Sequence, residues 1–325
     1  MEDVLLDVKE LKTHFKTEKG VVKAVDGISF QVRRGEILGI VGESGCGKSI
    51  TSQSILRLVG YKRNELVSGQ VLFEGEDLLT KKEKNMLAIR GSKIGLIAQD
   101  PMTSLNPVYT VGNQIAEVPM IHEKASKKSA WQTAIAMLKK VGIPSAEDRA
   151  DQYPHQFSGG MRQRGVIGMA LAGNPSLLIA DEPTTALDVT IQAQVLDLML
   201  KLRDETNAGI IMITHDLGVV AEICDKVAVM YAGKIVEQAP VEELFANPKH
   251  PYTKGLLKSL PKLGDKERLQ PVEGQPPNLN DLHEGCRFAD RCPFVFDKCH
   301  TEHPPLFSTD SNHRTACYLY DEEAE

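Results

Sequence analysis

The chain has 325 residues, 42% hydrophobic and 25% charged, enough to bury a sizeable core and leave length for a second module. Its 38 Lys and Arg against 44 Asp and Glu give a net charge of −6, which argues against a broad basic surface for nucleic acid. No apolar run approaches the roughly 18 to 20 residues that cross a bilayer, and MEDVLLDVKE lacks the basic start and apolar stretch of a signal peptide. A cytoplasmic location is therefore expected, with any membrane-spanning helices supplied by other subunits.

In chain order, Leu5–Phe15 and Val21–Val32 alternate apolar and polar residues and predict antiparallel strands of a small sheet. Ile37–Val41 reads as a buried strand. It runs into Gly42-Glu43-Ser44-Gly45-Cys46-Gly47-Lys48-Ser49, after which Ser49–Val59 has helical periodicity. Strand, glycine-rich loop and helix form the context a phosphate-binding loop requires. The glycines let backbone N–H groups curl around phosphate oxygens, and the helix N-terminus adds positive partial charge. Lys48 is expected at the β- and γ-phosphates and Ser49 at Mg²⁺. A chance glycine-rich turn is the alternative, and the flanking elements weigh against it.

Ile94–Ala98 is strand-like and leads to Gln99. From about residue 100 to 165 the pattern turns helical, with Val111–Val118 and Ser129–Val141 punctuated by Pro and Gly, and an inserted helical subdomain is expected. Phe157-Ser158-Gly159-Gly160-Met161-Arg162-Gln163-Arg164 opens the helical stretch Met161–Leu171, so Ser158 and the two glycine amides form a second anion site at a helix N-terminus.

Leu177–Ala180 is a buried strand ending in the adjacent carboxylates Asp181 and Glu182, which need a positive partner: Asp181 to hold Mg²⁺, Glu182 to polarise an attacking water. Carboxylates that merely end a strand are the alternative. Ile210–Ile213 is a third buried strand, leading to His215 and the helical Leu217–Ile223. Such alternation predicts an α/β fold with a mostly parallel sheet flanked by helices and a ligand beyond the carboxyl ends of the strands. Val227–Tyr231 and Lys234–Glu237, joined by Ala232-Gly233, predict a closing hairpin. Lys81–Lys84 and Asp204-Glu205 read as solvated faces.

From about Pro240 recurrent prolines predict a loop-rich appended module, not more of the same sheet, with Asp321–Glu325 as a solvated acidic tail. Cys286, Cys292, Cys299 and Cys317 crowd into it, which in a reducing compartment suggests metal before disulfides. Their five, six and seventeen intervening residues fit poorly with zinc knuckles of about two to four. An iron–sulfur cluster tolerates wider arcs, and Cys292-Pro293 is weakly similar to the Cys-Pro end of ferredoxin runs. Zinc and unliganded or paired thiols remain open, and His283, His300, His303 and His313 are near enough in sequence to substitute.

From Met1 to about Pro240 these motifs, in this order, resemble the ABC ATPase family, whose signature is usually Leu-Ser-Gly-Gly-Gln; Phe157 and Met161 depart from it. The resemblance implies a P-loop NTPase fold of ABC type over residues 1–240, with an N-terminal antiparallel β-subdomain and the helical insertion at about 100–165. It implies ATP contacts from Gly42, Ser44, Gly45, Cys46, Gly47, Lys48, Ser49 and Ile50, with Cys46 a passenger in the loop. Phe15 would stack on adenine, a core role being its alternative. Ser49, Gln99 and Asp181 would serve Mg²⁺, and Glu182, His215 and Gln99 catalysis. Ser158, Gly159, Gly160 and Met161 would close on the ATP of an opposite subunit, and Ala186-Leu187-Asp188 would cross that dimer interface.

The segment Asn247–Leu257, the cysteine-rich stretch, Gln99–Pro107 and the FSGGM signature are similar to those of dipeptide and oligopeptide importer ATPases, and residues 241–325 to their C-terminal extension. Nickel importers share much of this pattern. The narrower resemblance implies ATP-driven peptide import at the cytoplasmic face of the cell membrane. The partners would be a paralogous ATPase or a second copy, two membrane permeases and an extracytoplasmic peptide-binding protein reached through them. It also implies a [4Fe–4S] cluster on the four cysteines, with Zn²⁺ as the alternative. A nickel or other small-solute importer is the rival function. A soluble ABC protein of DNA repair or translation would be expected to carry a coiled-coil insertion or a second nucleotide domain. A nucleotide-gated scaffold would leave Asp181, Glu182 and His215 unexplained.

Overall fold

A computed structural model describes residues 3–184, 188–259, 272–310 and 312–321. They fall into two compact units. One, here the phosphate-loop unit, comprises Leu6–Gln31, Ile37–Leu79 and Thr214–Glu325; the other, the carboxylate unit, comprises Met1–Leu5, Val32–Glu36 and Thr80–Ile213.

The phosphate-loop unit begins with β1 (Val4–Thr17) and β2 (Gly20–Arg33), whose alternating side chains bury Leu6, Val8 and Leu11. Between β3 (Ile37–Val41, wholly buried) and α1 (Lys48–Ile55) lies the glycine-rich loop. The helix stops at Ile55, short of the expected Val59, and Arg57 takes a left-handed φ of 49° just beyond it. Two strands without a sequence expectation, β4 (Glu65–Phe73) and β5 (Glu76–Asp77), complete a sheet in the order β2-β1-β4-β5. In β4 the run Ser68-Gly69-Gln70 breaks the apolar alternation that would have announced it.

In the carboxylate unit come α2 (Glu83–Leu87), β6 (Ile94–Ile97), α3 (Pro101–Ser104), α4 (Val111–His122), α5 (Lys127–Lys140), α6 (Ala146–Ala150), α7 (Gly159–Leu171), β7 (Leu177–Asp181), α8 (Val189–Thr206) and β8 (Gly209–Ile213). Strands β6, β7 and β8 run parallel and adjacent, with Ile94 opposite Leu177 and Leu177 opposite Gly209. Val111 and Ile115 of α4, Ala130, Ala134 and Leu138 of α5, and Val166, Ile167 and Leu171 of α7 are buried at helical spacing. Helix α4 continues through Pro119 to His122, past the expected end at Val118. Helix α8, for which the sequence carried no expectation beyond a solvated Asp204-Glu205, buries Val195, Leu196, Met199 and Leu202 along one face.

The chain then returns to the phosphate-loop unit with α9 (Leu217–Ile223), β9 (Lys226–Tyr231), β10 (Lys234–Pro240), α10 (Val241–Ala246), α11 (Pro251–Lys258), α12 (Asp297–Thr301), β11 (Phe307–Asp310) and β12 (His313–Thr315). Strand β9 is parallel to β3 and closes an antiparallel hairpin with β10. The expectation that the sheet ends near Pro240 is corrected here. Strand β12 pairs antiparallel with β10, Glu237 opposite Thr315, and β11 pairs with β12.

A buried carboxylate holds this addition in place. Glu237 is fully buried and accepts hydrogen bonds from the Lys249 N–H (2.6 Å) and the His250 N–H (3.0 Å), and lies 2.7 Å from His313 Nε2. Burial acts to raise its pKa, but these hydrogen bonds outweigh it and hold the carboxyl below its ordinary value. The acidic end also differs from expectation: Asp321 pairs with Lys298 at 2.8 Å. Residues 322–325 lie outside the described residues. Among the described residues no helix is long and apolar enough to cross a membrane.

Candidate functional site

The glycine-rich loop is shaped by backbone constraints. Gly42 (φ 153°) and Gly47 (φ 108°) adopt conformations that L side chains rarely take. A Cβ on Gly42 would stand 2.1 Å from the Met230 carbonyl oxygen, and one on Gly47 would stand 2.2 Å from that of Ala24. Gly47 caps α1, aiming the first N–H groups of that helix toward the loop. Lys48 is 6% exposed, and its ammonium donates to the carbonyls of Gly42 (2.7 Å) and Glu43 (3.0 Å). The ammonium therefore sits within the loop that would receive phosphate. Ser44 and Gly45 are exposed at the tip, while Ser49 and Ile50 are half-buried on the first turn of α1.

Cys46 lies between Gly45 and Gly47 in the loop. It is buried, and burial raises its thiol pKa, so the side chain is a protonated packing group. Phe15 is half-buried on β1, opposite Glu65 of β4. Two residues earlier Thr13 hydrogen-bonds Ser54 of α1 at 2.7 Å. With a period of two, Phe15 shares the face of β1 that Thr13 turns to the phosphate-loop helix. His215 is exposed, two residues beyond β8 and just before Asp216, whose side chain caps α9.

In the carboxylate unit Asp181 ends β7 and is 5% exposed, while Glu182 is half-buried. Glu182 has a left-handed φ of 49°, a conformation that costs a non-glycine residue about 1–2 kcal/mol. Its N–H donates to the Ile213 carbonyl at 2.8 Å, and the Gln99 Nε2 amide donates to its Oε2 at 3.1 Å. Thus Gln99, just beyond β6, and Glu182, just beyond β7, are brought together from 83 residues apart.

Ser158 caps α7, its hydroxyl accepting the Met161 N–H at 3.3 Å. Ser158 and Gly159 are exposed, whereas Phe157, which replaces the usual Leu, is buried as an anchor. Gln163, unnoticed in the sequence as a functional residue, is 1% exposed and donates to the Pro183 carbonyl at 2.7 Å. It ties the signature helix to the residue after Glu182. Asp188 caps α8 by accepting the Ile191 N–H at 3.0 Å. Ala186 and Leu187 lie outside the described residues.

The four cysteines of the extension line one cavity with His250, Phe288, Phe296 and Tyr318, enclosing about 10 Å³. The Cys286 N–H donates to the Cys299 carbonyl at 2.7 Å. Burial above all, with the neighbouring cysteines adding to it, pushes the Cys286 thiol up to about 12 and the Cys317 thiol up to about 11. Four sulfur donors without a carboxylate suit soft-metal chemistry. Even so, among the described residues no group of three or more His, Cys, Asp or Glu could hold a metal ion.

A family model described as ABC transporter matches residues 25–185, and one described as the C-terminal region of oligopeptide/dipeptide transporters matches residues 236–299. A probable peptide ABC transporter ATP-binding protein of Sinorhizobium fredii is 52% identical, over 98% of this chain and 96% of that protein. The oligopeptide transport ATP-binding protein OppD of Bacillus subtilis is 52% identical over 98% of this chain and 90% of its own length. Among solved structures, a dimeric ATP-binding cassette in a post-hydrolysis state with ADP and Pi matches with a TM-score of 0.67 and 25% identity, over 73% of this chain and 98% of that one. CbiO1 of Clostridium perfringens matches with a TM-score of 0.63 and 30% identity, over 76% of this chain and 92% of its own. Full-length identity of this order, over a chain that presents its phosphate loop and its strand-end carboxylates as described, shows that the protein belongs to the family of ABC transporter ATP-binding proteins.

Proposed function

We propose that this chain binds and hydrolyses ATP to power the import of dipeptides or oligopeptides through a membrane ABC transporter. The observation that carries the hydrolase reading is Glu182, held beyond β7 with its carboxylate at 3.1 Å from the Gln99 amide. The solute class rests on relatives such as the dipeptide transport ATP-binding protein DppD of Bacillus subtilis, 50% identical over all of this chain and 97% of its own. Residues 1–240 form the ATPase, with the helical insertion at about 100–165, and residues 241–325 form the extension.

In this mechanism Lys48 leaves the loop carbonyls for the β- and γ-phosphates, while the loop amides bind phosphate oxygens and Phe15 stacks on adenine. Ser49, Asp181 and Gln99 would hold Mg²⁺, which neutralises charge on the phosphates. Glu182 orients the attacking water and takes its proton, Gln99 positions that carboxylate, and His215 donates to the γ-phosphate. Ser158, Gly159, Gly160 and Met161 present helix N-terminal amides to the ATP of a paralogous subunit, with Asp188 at that interface. Two permeases and, through them, an extracytoplasmic peptide-binding protein complete the machine at the cytoplasmic face of the cell membrane.

Glu182→Gln in the assembled transporter is expected to lower ATP turnover by about 10²–10⁴-fold while ATP still binds. Full turnover would sink the assignment. Copurification with two membrane proteins, followed by uptake of labelled peptide against Ni²⁺ into vesicles, tests the transport reading.

We further infer that Cys286, Cys292, Cys299 and Cys317 hold a [4Fe–4S] cluster, supported by their shared cavity and all-sulfur donor set. Its role would be to cross-link a loop-rich segment. Stoichiometric iron and sulfide in anaerobically purified protein is the expected result; zinc alone, or no metal, overturns it.

A further inference from the structure

The extension reaches back to the phosphate loop at Glu43. The Arg291 guanidinium grips its carboxylate with two parallel hydrogen bonds, Nη1 to Oε2 at 2.8 Å and Nη2 to Oε1 at 3.0 Å. The Glu43 backbone N–H donates to the Tyr252 hydroxyl oxygen at 2.9 Å. Both gripping residues come from more than 200 positions away, and neither belongs to a nucleotide motif.

The grip is rigid. The Arg291 side chain is 5% exposed and lies 5.7 Å from the ring centres of both Tyr231 and Phe288. It donates also to the Tyr231 hydroxyl (3.2 Å) and to the carbonyls of Val272 (3.1 Å) and Glu273 (2.8 Å). Tyr252, Tyr231 and Phe288 pack on one another with ring centres 4.6 to 5.5 Å apart. A bidentate Arg–carboxylate pair fixes direction as well as distance, which a lysine cannot reproduce.

Glu43 is the second residue of the loop whose amides must present themselves to phosphate. With its carboxylate and its N–H both committed to the extension, Glu43 is held in one conformation before any ligand arrives, and a preorganised loop loses less entropy on binding. We propose that Arg291 and Tyr252 are positioning residues for ATP binding: the extension holds the phosphate loop in its receptive shape through Glu43. The proposal rests on the ATP-site reading above.

The test is equilibrium binding of Mg-ATP to the purified full chain, with thermal melting alongside. Arg291→Ala and Glu43→Ala are each expected to weaken binding about tenfold, the scale of a lost charge-assisted pair. The double variant is expected to be no weaker than either single one, because both break the same contact. Arg291→Lys should recover part of the loss. In the assembled transporter, KM for ATP should rise with kcat nearly unchanged, which a merely structural defect would not produce.

Wild-type affinity in Arg291→Ala, or single losses that multiply to about a hundredfold in the double variant, overturns the proposal. Should Arg291→Ala fail to show a melting transition, Glu43→Gln and Tyr252→Phe carry the test, each with weakened binding expected and wild-type affinity decisive against it. Lys48→Ala separates the two levels. If it binds ATP like the wild type, the ATP-site reading fails. If it loses ATP while Arg291→Ala and Glu43→Ala do not, only the role of the extension fails.

Discussion

The phosphate loop and the C-terminal extension are held together by different physics. The loop is a short contiguous segment whose path is set by three glycines at positive φ, Gly42, Gly45 and Gly47, and by the ends of a strand and a helix. The extension is shaped by side chains that meet across long sequence gaps. Glu237 accepts from His250 and pairs with His313, Arg287 pairs with Asp26, and Arg291 pairs with Glu43. The first kind of region is fixed by steric exclusion, with no room for a Cβ at Gly42 or Gly47; the second is fixed by charge and burial and answers to pH.

The sharpest way to break this contrast is a side chain on the loop. Gly47→Val should abolish ATP binding and cost at least about 4 kcal/mol of stability, since its Cβ would fall 2.2 Å from a backbone carbonyl at an unfavourable φ. Retained binding by calorimetry and an unchanged melting temperature would show that the loop is softer than its geometry.

Next in size is an acid lability of the extension. Burial lowers the pKa of His250 and of His303 to about 4 each. His250 Nδ1 accepts the Tyr252 N–H at 3.0 Å, so the native ring is neutral there. With folded values below the unfolded 6.5, the unfolded chain binds more protons between pH 4 and 6.5. Stability is then fully present above about pH 6.5 and falls toward pH 4, by on the order of 3 kcal/mol for each histidine. Urea unfolding across that range should show the slope, and His250→Gln should remove about half of it. A flat profile in the unaltered chain would contradict the buried neutral rings.

The smallest effect belongs to the cap of the signature helix. Ser158→Ala should cost about 1 kcal/mol through loss of the bond to the Met161 N–H. Its larger consequence should appear only in the assembled transporter, as slower turnover at saturating ATP. Equal loss in the isolated chain and the assembly would argue that Ser158 serves only as a cap.

Local grammar was readable. Strand, glycine loop, Lys48 and Ser49 are consecutive, so their steric logic is written in one stretch; the strand-end carboxylates and the hairpin after Val227 are equally local. The register of β10 with β12 was not readable, because β12 is only three residues long and is recruited by the buried Glu237–His313 contact. Strand β4 was hidden by its central Ser-Gly-Gln. Gln163 and Arg291 were invisible as positioning groups, since nothing in either neighbourhood reveals the Pro183 carbonyl or the Glu43 carboxylate that each meets. Tyr252 stood within a segment already singled out, but only burial showed what its hydroxyl does.

The inward-turned Lys48 has a consequence for selectivity among nucleotides. Because its ammonium is already coordinated by two loop carbonyls, ligand entry is an exchange of partners and not the solvation of a bare charge. The gain is the difference between two neutral dipoles and an anionic oxygen, so it grows with the charge delivered to the loop and is indifferent to the base. On the proposed reading of the ATP site, the lysine would thus discriminate by phosphate number, leaving recognition of the base to groups outside the loop.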